Sequence, residues 1–179
     1  MAVVEVSRLL KLFLPNEHVK SIFDIKPESL QKKGIKGIIT DLDNTLVAWD
    51  VADATPEIIE WFKQMKAHNI KITIISNNKR ERVKIFSEPL DTPFVFSARK
   101  PLSRAFKSAA KEMQINKDDI VVIGDQILTD VLGGNSAGFR TILVVPIVQT
   151  DGKVTRFNRR IERRILSYMR NKGKISWEE

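Results

Sequence analysis

The nine residues from Ile38 to Leu46 have the sequence IITDLDNTL, an apolar run followed by two acids one residue apart. The apolar run predicts a buried strand, and the residues after it predict a loop that carries carboxylates. The side chains of Asp41 and Asp43 can both face one small site beyond the end of this strand. Because Asp and Asn also favour turns, the pair by itself is equally compatible with a simple turn.

Further short apolar runs alternate with segments of helical periodicity along the chain. Strands are predicted at 38–41, 70–75, 94–96, 120–123 and 141–145. Helices are predicted at 55–69, at 83–90, from Pro101 with Leu102, Phe106, Ala109 and Met113 on the apolar face, and at 127–137. Continuous apolar strands are typical of a parallel sheet with helices on both faces, which is an α/β fold. Because sites in such folds lie beyond the carboxyl ends of the strands, we expect Asp41, Ser76 and Asp125 to meet.

Three residues near these strand ends could bind a phosphoryl group. The hydroxyl of Ser76 and the amide of Asn77 follow the second predicted strand, although Ser and Asn are also common caps of a following helix. Lys100 precedes Pro101 at a predicted helix start, where a cation is mildly unfavourable unless it meets an anion. The alternative for Lys100 is a solvated surface position, which is the usual place of lysine.

Asp125 and Asp130 supply two further carboxylates at the end of the fourth predicted strand, within the segment Gly124–Asp130. Together with Asp41 they would form an oxygen-rich site suited to Mg²⁺. A loop or cap position for Asp125, and a salt bridge or cap contact for Asp130, are the structural alternatives. The combination of Asp41 and Asp43 is what phosphoryl transfer through an aspartate needs, one carboxylate to attack phosphorus and a second to transfer protons.

The order Asp-x-Asp, Ser, Lys and Gly-Asp-x-x-x-x-Asp resembles the four motifs of the haloacid dehalogenase-like (HAD) phosphohydrolase superfamily, over roughly residues 37–145. The resemblance implies a Rossmann-like fold, with Asp41 as the nucleophile and Asp43 as general acid and base. It also implies that Ser76 and Lys100 bind the phosphoryl group. For Asn77 it implies contact with substrate or phosphate.

The same resemblance implies a Mg²⁺ ion held by Asp41, the backbone carbonyl of Asp43, and Asp125. For Asp130 it leaves two roles, which are binding the metal through water or orienting Lys100. Cap domains are common in this superfamily, but segments 47–69 and 79–99 are too short to contain one. The chain therefore resembles the capless class III (subfamily IIIA) branch, whose open site suits a bulky substrate or one covered by a neighbouring subunit.

Charge is concentrated near the end of the chain. Of the net charge of +8, residues 151–174 carry +7, from nine basic and two acidic residues. Phe157, Ile161, Ile165 and Met169 recur every four residues, which predicts a basic amphipathic helix at 154–172. Such a helix would dock on the domain by its apolar stripe and could meet an acidic membrane surface by its basic face. We expect no nucleic-acid partner, because no aromatic stacking pattern accompanies the basic residues.

The chain contains no cysteine, so thiolate chemistry and disulfides are excluded. This fits a cytoplasmic protein, with peripheral contact at the inner face of the membrane as a further expectation. We expect a single domain, with helical lead-in residues at 1–35, a core at 36–146 and the basic helix after it. Val6, Leu9, Leu10, Phe13 and Leu14 predict the first helix of the lead-in. The sequence leaves the oligomeric state open.

Within the capless branch, the layout is similar to the phosphatidylglycerophosphate phosphatases. The likeness lies in Leu14-Pro15, in residues 21–25 and 34–38, and in the Gly-Asp-Gln-x-x-Thr-Asp segment. It implies dephosphorylation of an anionic lipid headgroup, a step of phospholipid biosynthesis. The alternatives are a capless phosphatase for a soluble phosphosugar, nucleotide or polynucleotide end, and a non-catalytic RNA-binding relative.

Overall fold

The centre of the fold is a sheet of six strands in which all neighbours run parallel. The structure is a computed structural model that describes residues 10–148, 153–173 and 175, with only the helical backbone given for 153–157. The strands are β1 (Glu17–Val19), β2 (Gly37–Thr40), β3 (Lys71–Ile75), β4 (Phe94–Val95), β5 (Ile120–Gly124) and β6 (Arg140–Val144). Their order is β1-β6-β5-β2-β3-β4, which confirms the predicted parallel α/β fold.

Helices cover both faces of this sheet. They are α1 (Pro27–Lys32), α2 (Pro56–Ala67), α3 (Arg80–Ser87), α4 (Ser103–Met113), α5 (Leu132–Ala137) and α6 (Lys153–Asn171). Side chains alternate across strand β2, so that Ile38 lies in one core cluster with Phe62 of α2. Ile39 lies in a second cluster with Phe106 of α4, on the opposite face. The burial of both faces explains why the strands are continuously apolar.

The connections on either side of β3 are short in the described part of the chain. A single helix, α2, lies between β2 and β3, and its first turn is capped by the Thr55 hydroxyl, which accepts a hydrogen bond from the Ile58 amide. Between β3 and β4 lie α3 and one 3₁₀ turn at Glu88–Leu90. Neither connection holds an inserted domain, so the described residues form no cap domain over the carboxyl ends of the strands.

Strand β1 was not predicted, because residues 1–35 were expected to be a helical lead-in. β1 pairs with β6, and next to it the Asn16 side chain accepts a hydrogen bond from the Thr141 amide at 2.8 Å. A three-residue, half-buried strand is too short to show a periodic pattern, and its pairing partner is more than 120 residues away. Val6 and Leu9 of the predicted first helix lie outside the described residues.

The predicted start of the helix after Pro101 is wrong. Helix α4 begins at Ser103, and Leu102 is its N-cap residue in extended conformation. Leu102 is 61% exposed and therefore does not belong to the apolar face. A turn closed by the Leu102 amide and the Arg99 carbonyl precedes the helix, and this turn lets Lys100 point into the protein.

The segment after β5 begins with a π-helical turn at Ile127–Val131 and continues as α5, where a single α-helix was predicted. This turn brings Asp130 back against the end of β5. A Cβ atom at Gly124 would overlap the Asp130 carboxyl group, so only glycine fits here. Gly138, with a φ of +86°, ends α5 as predicted.

Helix α6 packs beside this segment. Its inward apolar residues join a third cluster that consists of Ile127, Val131, Leu143, Leu166, Met169 and Ile175, with Leu10, Phe13, Leu14 and Ile165 at its edge. The side chain of Phe157, part of the predicted stripe, lies outside the described residues. Among the described helices, none combines the length and the apolarity required to cross a bilayer.

Candidate active site

The carboxyl ends of β2, β3 and β5 surround a polar cavity of about 290 Å³. Its lining consists of Asp41, Asp43, Ser76, Asn77, Asn78, Lys100, Gln126, Thr129 and Asn158. Five residues that were singled out from the sequence therefore share this cavity, although they are up to 59 positions apart. The parallel sheet brings them together because its strands end at one edge.

Lys100 is the centre of the charge arrangement. Its Nζ atom lies 2.6 Å from Asp41 Oδ1 and 2.6 Å from Asp130 Oδ1, and all three side chains are buried. Burial alone would lower the pKa of Lys100, but the charges of Asp130 and Asp41 outweigh it and raise that pKa above its usual value. Lys100 meets anions, as its sequence position required, and the solvated surface alternative is wrong; the anions are two carboxylates, and the helix begins only at Ser103.

Asn77 holds the backbone of Lys100 in place. Its side-chain oxygen accepts a hydrogen bond from the Lys100 amide at 2.7 Å, and its side-chain nitrogen donates to the Lys100 carbonyl at 3.3 Å. Ser76 is not a helix cap, because the N-cap residue of α3 is Lys79. Its hydroxyl accepts a hydrogen bond from the Asn78 amide at 3.0 Å and lies 3.5 Å from Asp43 Oδ2.

Asp43 has a different environment from Asp41. Its Oδ1 atom accepts hydrogen bonds from Nε and Nη2 of Arg82, at 3.2 and 3.0 Å. Its Oδ2 atom accepts one from the Asn78 side chain at 3.3 Å. Asp43 is only partly buried, whereas Asp41 is nearly inaccessible and its pKa is raised well above the usual range by burial, against the effect of Lys100. One carboxylate is thus enclosed, and the other borders the open side of the cavity.

Asp41, Asp125 and Asp130 form a buried carboxylate cluster in which one oxygen of each lies within 4.8 Å of the others. Asp125 accepts a hydrogen bond from the Thr45 hydroxyl at 3.2 Å, and Asp130 accepts one from the Gln126 amide at 3.2 Å. Burial raises the pKa of Asp125 to about 6, against the effect of Arg159. Three mutually repelling carboxylates fit a divalent cation, which would offset their charge through oxygen ligands.

Two sequence comparisons identify the family. A family model for HAD-hydrolase-like proteins matches residues 97–163. The chain is 61% identical over 171 residues to the probable phosphatase YqeG of Bacillus subtilis, which covers 96% of this chain and 99% of that protein. The chain belongs to the HAD-like hydrolases. Within this family it is a phosphoric monoester hydrolase, as the motif order predicted.

More distant similarities agree with this HAD fold. The chain is 29% identical over 170 residues to the chloroplastic/mitochondrial phosphatidylglycerophosphate phosphatase 1 of Arabidopsis thaliana, covering 89% of this chain and 49% of that protein. The cobalt-bound deoxy-D-mannose-octulosonate 8-phosphate phosphatase of Haemophilus influenzae superposes with a TM-score of 0.54 at 15% identity, covering 75% of this chain and 89% of the other. The second likeness concerns the fold alone.

Helix α6 contributes residues to this HAD site that the sequence did not indicate. Arg159 was expected on a basic outer face, but its guanidinium group pairs with the Asp125 carboxylate and donates to the Asp125 carbonyl at 2.8 Å. Glu162 is buried and accepts a hydrogen bond from the Leu128 amide at 2.9 Å. Burial raises the pKa of Glu162 to about 7, with Arg159 acting against it and Asp125 and Asp130 adding to it.

The local sequence offered little signal for these contacts. Arg82 and Asn78 lie close to Ser76 in the chain, but nothing in their spacing indicates that they reach Asp43. Arg159 and Asn158 follow the predicted core by more than ten residues. Their inward orientation depends on the angle at which α6 packs on the π-turn, which periodicity does not define.

Proposed function

We propose that this HAD phosphatase hydrolyses phosphomonoesters through a phosphoryl-aspartate at Asp41. A carboxylate oxygen of Asp41 attacks phosphorus, the ester P–O bond breaks, and Asp43 protonates the departing alkoxide oxygen. In the second step Asp43, now ionised, removes a proton from water as the water attacks phosphorus. The bond between phosphorus and Asp41 then breaks, which releases inorganic phosphate and returns both carboxyl groups to their initial state.

The neighbouring side chains hold the reacting groups. Lys100 positions Asp41 by a 2.6 Å ion pair and, with the Ser76 hydroxyl, lies where it can bind phosphoryl oxygens. Asn77 fixes the Lys100 backbone by two hydrogen bonds, so its first role would be to position the lysine. Mg²⁺, held by Asp41, Asp125 and the Asp43 carbonyl with Asp130 beside it, would supply positive charge against the transferring phosphoryl group.

The observation that carries this proposal is the shared cavity, in which an enclosed Asp41 and a more open Asp43 lie beside the buried ammonium group of Lys100. Asp41→Asn keeps the shape and a hydrogen-bonding group, so the fold should persist while turnover of a phosphomonoester falls by about 10⁴-fold or more. Asp50→Asn, an exposed acid in the loop after the first motif, is the matched control and should keep full activity. Retained turnover in pure Asp41→Asn protein would refute the nucleophile assignment.

For the substrate we propose phosphatidylglycerophosphate, cleaved to phosphatidylglycerol. The similarity to the Arabidopsis phosphatidylglycerophosphate phosphatase supports this choice, and so does the uncapped site, which leaves room for a headgroup presented by a bilayer. A screen with Mg²⁺ should compare phosphatidylglycerophosphate with phosphosugars, nucleotides and 3′-phosphorylated oligonucleotides. A higher kcat/KM for any soluble ester would contradict the lipid assignment.

Helix α6 supports contact with an acidic bilayer. Its outward residues in the described part of the chain include Arg160, Arg163 and Arg164, while its only acid, Glu162, is buried. Changing these three arginines to glutamine should weaken binding to phosphatidylglycerol-containing vesicles by about 100-fold, at about 1 kcal/mol per charge. The control variant changes three exposed basic residues of α4 in the same way: Arg104, Lys107 and Lys111. Equal binding of the two variants to these vesicles would contradict a role of α6 in membrane contact.

A further inference from the structure

Among the described residues of the cavity, two side chains have neither a task in the proposed reaction nor a hydrogen-bond partner. The nine lining residues that the structure describes are all polar, and most have hydrogen-bond partners, such as Asn77 on the Lys100 backbone. By contrast, the side-chain amides of Gln126 and Asn158 make no hydrogen bond to any other residue that the structure describes. Each amide offers both a donor and an acceptor to whatever occupies the cavity.

Helix α6 is fixed so that Asn158 faces the cavity. The next residue, Arg159, forms an ion pair with the Asp125 carboxylate and donates a hydrogen bond to the Asp125 carbonyl. About one turn later, Glu162 accepts a hydrogen bond from the Leu128 amide. Behind these polar contacts, Leu166 and Met169 pack into the apolar cluster that α6 shares with the π-turn. The helix therefore forms one side of a site over which the described residues form no cap domain, and its side chain in the cavity is the neutral amide of Asn158.

This wall limits the chemistry of the group next to the phosphate. Asp41, Asp43, Ser76 and Lys100 account for the phosphoryl group, which leaves Gln126 and Asn158 for the leaving alcohol. Among the residues that the structure describes, no aromatic side chain lines the cavity, so these residues offer a nucleobase no stacking surface. The described lining contains no aliphatic side chain either, so it offers no apolar contact to an acyl chain. The volume of 290 Å³ corresponds to about ten water-sized groups.

We propose that Asn158 and Gln126 select a phosphomonoester of a small polyol, by hydrogen bonds to hydroxyl groups on the carbons next to the ester oxygen. This proposal rests on the proposed function, which it deepens by naming the chemistry of the leaving group. It applies equally to a glycerol headgroup on a lipid and to a free polyol phosphate. Asn158 is the specificity-determining residue that α6 adds to the motifs of the core.

The kinetic test compares sn-glycerol 3-phosphate with propyl phosphate, which has the same carbon chain without hydroxyl groups. The wild-type protein should prefer the polyol ester, and Asn158→Ala should reduce the ratio of the two kcat/KM values by about 3- to 10-fold, the effect of one lost hydrogen bond. Asn171→Ala, at the exposed far end of the same helix, is the matched control and should leave the ratio unchanged. An unchanged ratio in Asn158→Ala, or an equal loss for both esters, would overturn the proposal.

A binding assay separates this proposal from the proposed function. Calorimetry on Asp41→Asn protein should show that adding Asn158→Ala weakens the binding of sn-glycerol 3-phosphate by about 3- to 10-fold. The affinity for inorganic phosphate should stay unchanged. Because the assay needs no turnover, it remains decisive even if Asp41 is not the nucleophile. Weaker binding of inorganic phosphate to the same degree would assign Asn158 to the phosphoryl group and contradict its contact with the alcohol.

Discussion

Replacing Lys100 by methionine is expected to destabilise the metal-free protein strongly. The Nζ atom is 2.6 Å from oxygens of both Asp41 and Asp130, and the side chains of the three residues are 3%, 7% and 2% exposed. Removing one partner of a buried ion pair typically costs about 3–5 kcal/mol, because the other charge is left uncompensated. Two carboxylates lose the same partner here, so we expect the upper end, about 5 kcal/mol.

The assay is urea unfolding in EDTA, together with thermal unfolding. For a chain of this length, about 5 kcal/mol corresponds to a fall in Tm of about 10–20 °C. Lys36→Met is the matched control, because Lys36 makes a 2.7 Å ion pair with Asp119 while its own side chain is 68% exposed. Such a surface pair contributes about 1 kcal/mol or less.

Two additional measurements separate charge from packing. Adding Asp130→Asn to Lys100→Met removes one of the two uncompensated charges and should recover part of the lost stability. Saturating Mg²⁺ should stabilise Lys100→Met more than it stabilises the wild type, since the cation would replace the missing positive charge. A loss of about 1 kcal/mol or less in Lys100→Met, equal to that of Lys36→Met, would refute the assignment of Lys100 as the buried counter-charge.

Three further substitutions test the surroundings of the site. Burial raises the pKa of Glu162 to about 7, so the folded protein binds more protons than the unfolded chain between about pH 4.5 and 7. The free energy of unfolding therefore falls as the pH rises through this range. Urea unfolding in EDTA should show that Glu162→Gln removes up to about 3 kcal/mol of this pH dependence. Arg82→Gln removes the two guanidinium hydrogen bonds to Asp43 Oδ1, and steady-state kinetics should show kcat lowered by about 10- to 100-fold. An unchanged kcat would show that Arg82 does not assist Asp43 in the reaction. Gly124→Ala forces a Cβ against Asp130, and thermal unfolding should show a loss of about 1–3 kcal/mol, whereas a neutral effect would mean that the π-turn can shift.

Sequence periodicity and strand-end chemistry were sufficient to predict five of the six strands and the edge of the sheet at which the candidate site residues meet. Asp41, Ser76 and Asp125 could be placed because a parallel sheet brings the ends of its strands to one edge, so local patterns had a global consequence. Lys100 was expected to meet an anion, and it does, but not at the start of a helix. Its local sequence indicated a helix start, whereas its true environment depends on a turn and on Asp130, which is 30 positions away.

Features without a local signal were missed. Strand β1 consists of three residues and becomes a strand only by pairing with β6. The local sequence does not distinguish Arg159 from the exposed arginines around it, and only the angle at which α6 packs turns it towards Asp125. Long-range packing decides such orientations, and a single sequence contains no direct record of it.

The most direct test of the central claim is to trap the phosphoryl group on Asp41. The wild-type protein would be mixed with Mg²⁺ and a phosphomonoester that carries a radioactive phosphoryl group, quenched in acid within the first turnover, and digested for peptide mapping. We predict a hydroxylamine-labile label on the peptide that contains Asp41, and no label in Asp41→Asn protein. Turnover without any labelled peptide, or a label on another residue, would contradict the assignment of Asp41 as the nucleophile.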